Sequence, residues 1–261
     1  MRCYPKKNKP LRDFISLSLR YRKKNDFQGE GMVINQKNLL LERLPEGDYR
    51  RLLPHLETVR LAKALIVYEE RESIRYVYFP TTAAISMLSL TNEGDSIEVG
   101  VVGHEGMAGI SFVLGVNKIP YRARVQVSGE AMRMEARILK EEFNRGGILH
   151  SLLLRYIHSL LAQVSQSAVC NRFHNSEQRL CRWLLVMQDR VRSEVLSLTQ
   201  DLIAQMLGAS RTNVTAIAKK LQDKGLIQYQ WGQIKILDRQ GLEEASCECY
   251  RILSREFNDL L

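Results

Sequence analysis

Residues 199–237 constrain the fold more than any other stretch. Thr199 is suited to cap a helix, its side chain accepting from an N–H that has no partner inside the helix. Apolar residues follow at helical spacing, with Ala204 small where a second helix must approach closely. Gly208 comes next, where a turn with positive φ costs glycine little. Ser210 supplies a second cap, and Val214, Ile217 and Leu221 lay an apolar seam along a second helix that Gly225 ends. Leu226 to Tyr229 and Ile234 to Leu237, joined by Gln230-Trp231-Gly232-Gln233, read as a hairpin. The order of cap, glycine, cap, seam and hairpin specifies two crossed helices and a wing. An ordinary helical hairpin, the bland alternative, needs neither the second cap nor the strands.

In such a helix-turn-helix, the start of the second helix enters the major groove of DNA. Arg211, Thr212, Asn213, Thr215 and Ala216 occupy that outward part. Arg211 suits guanine O6/N7, Asn213 an adenine or a phosphate, and the two threonines are short enough for close approach. Thr199, Gln200 and Ser210 at the helix starts, with Lys219 and Lys220 farther along, complete the expected DNA-contacting set. Charge agrees. Residues 171–237 carry ten Lys/Arg against five Asp/Glu, whereas residues 31–170 are nearly balanced at 16 against 15. Positive charge concentrated on one segment favours a polyanionic partner.

Upstream, Leu39 to about Leu56 suggests short helices broken at Leu44-Pro45. Residues 58–135 are β-rich, with Ile74 to Phe79, Ala84 to Leu90, Ser96 to Val102 and Ala123 to Val127 separated by turns such as Asn92-Glu93-Gly94-Asp95. Short strands at near-regular spacing imply an antiparallel β-roll or jelly-roll-like barrel. A long helix then runs from about Ile148 to Val169. Leu149, Leu152, Leu153, Tyr156, Leu160, Leu161 and Val164 form its apolar stripe, which predicts packing on the roll or, in addition, on a second copy of the same helix. Asn171 to Asn175 breaks the pattern, and Asn175 or Ser176 caps a helix bearing Leu180, Trp183, Leu184 and Met187. The fold class is α+β. The expected organisation is a basic tail over 1–37, a sensor β-roll over 38–147, a dimerisation helix over 148–170 and a winged helix-turn-helix domain over 171–261. The tail, with nine Lys/Arg against three Asp/Glu in its first 30 residues, reads as disordered; a nonspecific DNA-binding arm, or translation from Met32, are the alternatives.

These segments together resemble the Crp/Fnr family of transcription regulators from residue 38 onward. Ala209-Ser210-Arg211 to Leu221 and Gly225-Leu226-Ile227 look like that family's recognition helix leading into its wing. The resemblance implies a cytoplasmic homodimer on a two-fold symmetric site in double-stranded DNA, RNA polymerase as a partner, and a small-molecule effector for the sensor domain. Gly103-His104-Glu105-Gly106-Met107 and Tyr121-Arg122-Ala123 fall where members carry a phosphate cassette, so Glu105, Arg122 and Ala123 mark the candidate effector pocket. The cassette diverges: His104 separates Gly103 from Glu105, and the apolar stretch from Met107 to Val116 lengthens the segment between Glu105 and Arg122. A Glu105–Arg122 ion pair is expected there rather than a cyclic-nucleotide site. Glycine turns usual in the family's early roll are missing from Ala64 to Ser73. Thr212 and Ala216 stand where members often have Glu and Arg, which implies a different target sequence.

Other chemistries find little support. No apolar run approaches the roughly 20 residues of a membrane-spanning helix. The five histidines lack the His-x-His spacing of a metal-dependent barrel enzyme, and no nucleophile triad or phosphate loop is evident. His104, alone in an expected β-turn, reads as a solvated residue rather than a haem ligand. Five cysteines without a CxxC pair argue against a disulfide framework, an iron–sulfur cluster or a zinc site. Cys247 and Cys249, two apart on an expected helix, point to different faces. No metal, cofactor or catalytic residue is expected. A regulatory module whose winged helix docks a protein is the remaining rival to a DNA-binding regulator.

Overall fold

The structure, a computed structural model, describes residues 37–260. The basic tail expected over 1–37 lies, but for its last residue, outside them. The described residues open with two short helices, α1 (Leu39–Glu42) and α2 (Glu46–Leu52), separated at Pro45, which has no N–H to continue the first helix. The Asn38 side chain caps α1 and donates to the carbonyls of Pro80 and Gly106, at 2.9 and 2.8 Å, fixing this entry segment on the strands.

Seven strands follow: β1 (Glu57–Leu61), β2 (Ile66–Tyr68), β3 (Tyr76–Pro80), β4 (Ala84–Leu90), β5 (Ser96–Val102), β6 (Arg122–Val127) and β7 (Gly129–Glu135). They form two antiparallel sheets, ordered β1-β7-β3 and β2-β6-β4-β5. Alternate residues face inward, so Val77 and Phe79 of β3, Ile85 of β4, Ala123 and Val125 of β6 and Met134 of β7 meet in one core. The two glycine-poor turns near β2 and β3 are made by Ala64 and Arg71, both with left-handed backbone (φ 66° and 60°).

Helix α3 (Ala136–Asn144) leads into the 27-residue α4 (Gly147–Phe173). The α4 stripe divides in a way its sequence does not reveal. Leu149, Leu152, Leu153, Tyr156 and Leu160 are buried against the chain's own β-roll, so their expected role at a dimer contact is corrected. Tyr156 is held there by a hydrogen bond from its hydroxyl to the Met107 carbonyl, 3.0 Å away. Leu154, Leu161 and Ala168 are exposed, with Ile157 and Val164 half-buried beside them. These five recur at intervals of three and four residues, the spacing of a coiled-coil seam.

The C-terminal part comprises α5 (Ser176–Val191), β8 (Val195–Ser197), α6 (Gln200–Leu207), α7 (Arg211–Asp223), β9 (Ile227–Gln230), β10 (Gln233–Ile236), α8 (Arg239–Ala245) and α9 (Cys249–Leu260). Asn175 and Gln178 form a reciprocal capping box at the start of α5. Its core includes Trp183, Leu184, Met187, Ile203, Val214 and Leu221, and it continues into Ala84, Leu88 and Val101 of the β-roll. The two halves are therefore packed directly on one another. No helix among the described residues is long and apolar enough to cross a membrane.

Candidate nucleic-acid interface

Thr199 begins α6 and its hydroxyl accepts from the Leu202 N–H at 3.3 Å. Gly208 ends the helix in left-handed geometry (φ 57°), and Ser210 caps α7 through the Asn213 N–H at 3.2 Å. These contacts satisfy helix-end groups that would otherwise lack partners. Val214, Ile217, Ala218 and Leu221 are buried, which fixes the rotation of α7 and turns Arg211, Thr212, Asn213, Thr215, Ala216, Lys219 and Lys220 outward.

Their surroundings differ. Arg211 is largely exposed, 3.4 Å from the exposed Asp201 carboxylate, an ion pair too solvated to hold it firmly. The Thr215 hydroxyl lies 2.9 Å from both the Gln200 Oε1 and the Arg211 carbonyl, joining the two helix starts. Thr212, Ala216 and Lys219 are exposed on the same surface. Lys220 departs from it: it pairs with Glu177 of α5 at 2.5 Å, and Lys224 pairs with the same carboxylate at 3.2 Å. Both lysines hold Glu177 below the usual carboxylate range, Lys220 most strongly. Asn213 also leans toward α5, its side-chain amide donating to the Ser176 hydroxyl at 3.3 Å. The presented set is thus Arg211, Thr212, Thr215, Ala216 and Lys219.

The wing stands beside this surface. Strands β9 and β10 pair antiparallel, with β8 on the other side of β10, a strand that the sequence pattern does not signal. At the tip, Trp231 and Gly232 both have positive φ, 53° and 73°, as a tight hairpin turn requires. Trp231 is 92% exposed and lines a cleft of about 380 Å³ that Gln200 and Arg211 also line. Sequence reasoning does not single out Trp231. The signal that could have found it is an aromatic residue at a turn position that favours Asn or Gly.

The candidate effector residues are not brought together. Arg122 pairs with Glu69 at 2.8 Å on the outside of the roll, and Ala123 is buried. Glu105 is 2% exposed; its carboxylate accepts from the Gly103 N–H at 3.1 Å and lies 3.2 Å from the Arg190 guanidinium at the end of α5. The expected Glu105–Arg122 pair is corrected accordingly: a buried carboxylate takes the cation nearest its own loop, and α5 supplies it. His104 is likewise not solvated. It is 7% exposed, and its Nδ1 donates to the Arg190 carbonyl at 3.0 Å. Burial lowers its pKa, against the opposing pull of Glu105. The cysteine reading also changes. Cys247 precedes α9 in an irregular segment, so it and Cys249 point to one place, with Cys170 and His174 of the α4 end.

Residues 178–245 match the family model of the Crp-like helix-turn-helix domain. No curated protein matches the chain by sequence. Among solved structures it is similar to FixK2 from Bradyrhizobium japonicum, at 17% identity over 74% of this chain and 98% of that one, with a TM-score of 0.64. A transcriptional regulator of the Crp/Fnr family from Eubacterium rectale aligns at 18% identity over 79% and 96%, TM-score 0.61. The c-di-GMP-responsive global regulator CLP of Xanthomonas campestris aligns at 16% over 74% and 100%, TM-score 0.57. The chain has the fold of these Crp/Fnr regulators and carries a Crp-like helix-turn-helix.

Proposed function

We propose that this chain, with a Crp-like helix-turn-helix on the Crp/Fnr fold, is a sequence-specific DNA-binding transcription regulator and not an enzyme. The carrying observation is the outward face of α7: Arg211, Thr212, Thr215, Ala216 and Lys219 are all exposed while the opposite seam is sealed in the core. In this role the α7 start enters the major groove, Arg211 reads a guanine, and Lys219 and the wing tip lie along phosphates.

The regulator acts as a homodimer in the cytoplasm. The exposed and half-buried seam Leu154, Ile157, Leu161, Val164 and Ala168 supports this, because a self-complementary apolar stripe on a long helix is buried best by its two-fold copy. Two recognition helices related by that axis read a palindromic site, from which the regulator engages RNA polymerase. A signal received in the roll re-aims them through α4. The sensor does not take a cyclic nucleotide: Glu105 is engaged by Arg190 and Arg122 by Glu69, so no acidic and basic pair converges on one ligand.

The test is a binding titration on an operator selected from random DNA. The protein should prefer the palindrome over scrambled duplex by about 10³-fold or more and lose affinity steeply with salt. Arg211→Ala should cost about 1–3 kcal/mol at one base pair of each half-site and relax preference there. Equal affinity for all sequences would reject the regulator in favour of a protein-docking module.

A further inference from the structure

We propose that Cys170, His174, Cys247 and Cys249 form a structural zinc site that fastens α9 to the end of α4. Four potential ligands from two distant stretches of chain have their donor atoms within 4.8 Å of one another. The Cys170 and Cys247 sulfurs are 3.6 Å apart, and the Cys249 sulfur lies 3.4 Å from the His174 Nδ1. Tetrahedral zinc, with Zn–S near 2.3 Å and Zn–N near 2.0–2.1 Å, separates its donors by about 3.5–3.8 Å. Both separations are close to that figure. An iron–sulfur cubane, whose thiolates spread around four metal corners, needs a wider set than this one.

The backbone explains the convergence. Cys170 and His174 are four residues apart at the end of α4 and lie on one side of it. Cys247 is outside any helix, and Cys249 opens α9, so the Cys-x-Cys step is not forced onto opposite faces. The three cysteines are buried as a cluster of their own, apart from both apolar cores.

The surrounding groups point to a metal independently. The second ring nitrogen of His174, Nε2, lies 3.1 Å from the Glu248 carboxylate. A carboxylate behind a histidine fixes the tautomer that leaves Nδ1 free to bind, an arrangement usual around zinc. Gln166 donates its amide to the Cys249 sulfur at 3.1 Å, a bond that favours thiolate. Arg179 and Arg182 are close enough for their charges to act on Cys170. Three thiolates and one Zn²⁺ leave a net negative charge, which these arginines offset. The softness of three sulfurs selects zinc over oxygen-seeking divalent ions.

The experiment uses the full chain, purified under reducing conditions without chelator, with zinc counted by plasma mass spectrometry. About one zinc per protomer is expected, surviving dialysis. Cobalt(II) exchanged into the wild-type protein should show the intense visible bands of a tetrahedral thiolate site. Chelation should lower the unfolding midpoint, because metal affinity is part of the folded state's stability. Cys170→Ser and Cys249→Ser should lose stoichiometric zinc, Glu248→Gln should bind it about 10–100-fold more weakly, and Cys181→Ser should be unchanged. The wild-type cobalt spectrum decides even where a variant fails to fold. No metal uptake, a weak octahedral spectrum, or a Cys170–Cys247 disulfide in protein alkylated at lysis would overturn the site.

Discussion

Trp231 stands where the backbone favours glycine, at φ 53°, and shows nearly all its surface to solvent. A bulky residue with positive φ is strained, at roughly 1 kcal/mol or more, and such strain tends to persist where function uses the side chain. Trp231 lines one cleft with Arg211, so in the proposed DNA-bound state the indole would lie against sugar and phosphate. Trp231→Gly should therefore raise thermal stability by about 1 kcal/mol while weakening operator binding several-fold. A calorimetric scan paired with a binding isotherm checks both. Loss of stability with unchanged binding would place Trp231 in the fold rather than in recognition. Residue-scale chemistry is unevenly legible in the sequence. Thr199, Gly208 and Ser210 are local devices, each satisfying helix ends within its own turn, and pattern alone locates them. Ala64 and Arg71 show the reverse: their left-handed turns are imposed by pairing of β2 with β6 and by Arg71 N–H bonding to the Ile119 carbonyl. No local preference of alanine or arginine announces them.

At the scale of elements, α4 carries the sharpest contrast. Its helical period and its length are both readable, because apolar residues fall on most turns. Which apolar residues meet the roll is not, since a helix this apolar has more than one buried solution and the choice depends on where the sheets sit. The result is a division of labour that substitution can expose. Leu161→Glu, at a seam residue that is itself 62% exposed, should leave the fold intact and shift the protein to monomer in analytical ultracentrifugation. Operator affinity should fall by about 100-fold or more, because linked half-site binding is lost. Leu153→Glu, fully buried against the roll, should instead unfold the chain, costing several kcal/mol for an unpaired buried charge. A dimer that survives Leu161→Glu would remove α4 from the two-fold contact. Strands β1, β2, β7 and β8 escape individual assignment for a related reason. Short or partly exposed, they owe their form to partners distant in sequence.

On the whole-molecule scale, the halves meet where the Gly103–Met107 loop touches the end of α5, and His104 there is titratable. His104 donates from Nδ1 to the Arg190 carbonyl, and Glu105 faces the Arg190 guanidinium, which itself stacks 3.8 Å from the Phe257 ring centre of α9. Burial lowers the His104 pKa below its ordinary 6.5. Above that ordinary value the histidine is neutral in both folded and unfolded chain, and the joint has its full stability. As pH falls, the unfolded chain takes up a proton that the folded one refuses, so stability declines until the lowered folded value is reached. Glu98, half-buried where it accepts from Trp183 at 2.7 Å and Ser86 at 2.5 Å, acts with the opposite sign. Burial raises its pKa, and the folded state therefore gains from acidification as that carboxylate protonates. The wild-type pH profile mixes both, but His104→Asn removes one, because an amide can still donate to the Arg190 carbonyl without titrating. Unfolding midpoints measured from about pH 7.5 down to about pH 5, the range spanning the ordinary histidine value, should fall more steeply for wild type than for His104→Asn. Parallel curves would mean that the loop releases His104 to water before the domain unfolds, and that the contact between roll and recognition domain is not the rigid joint its geometry describes.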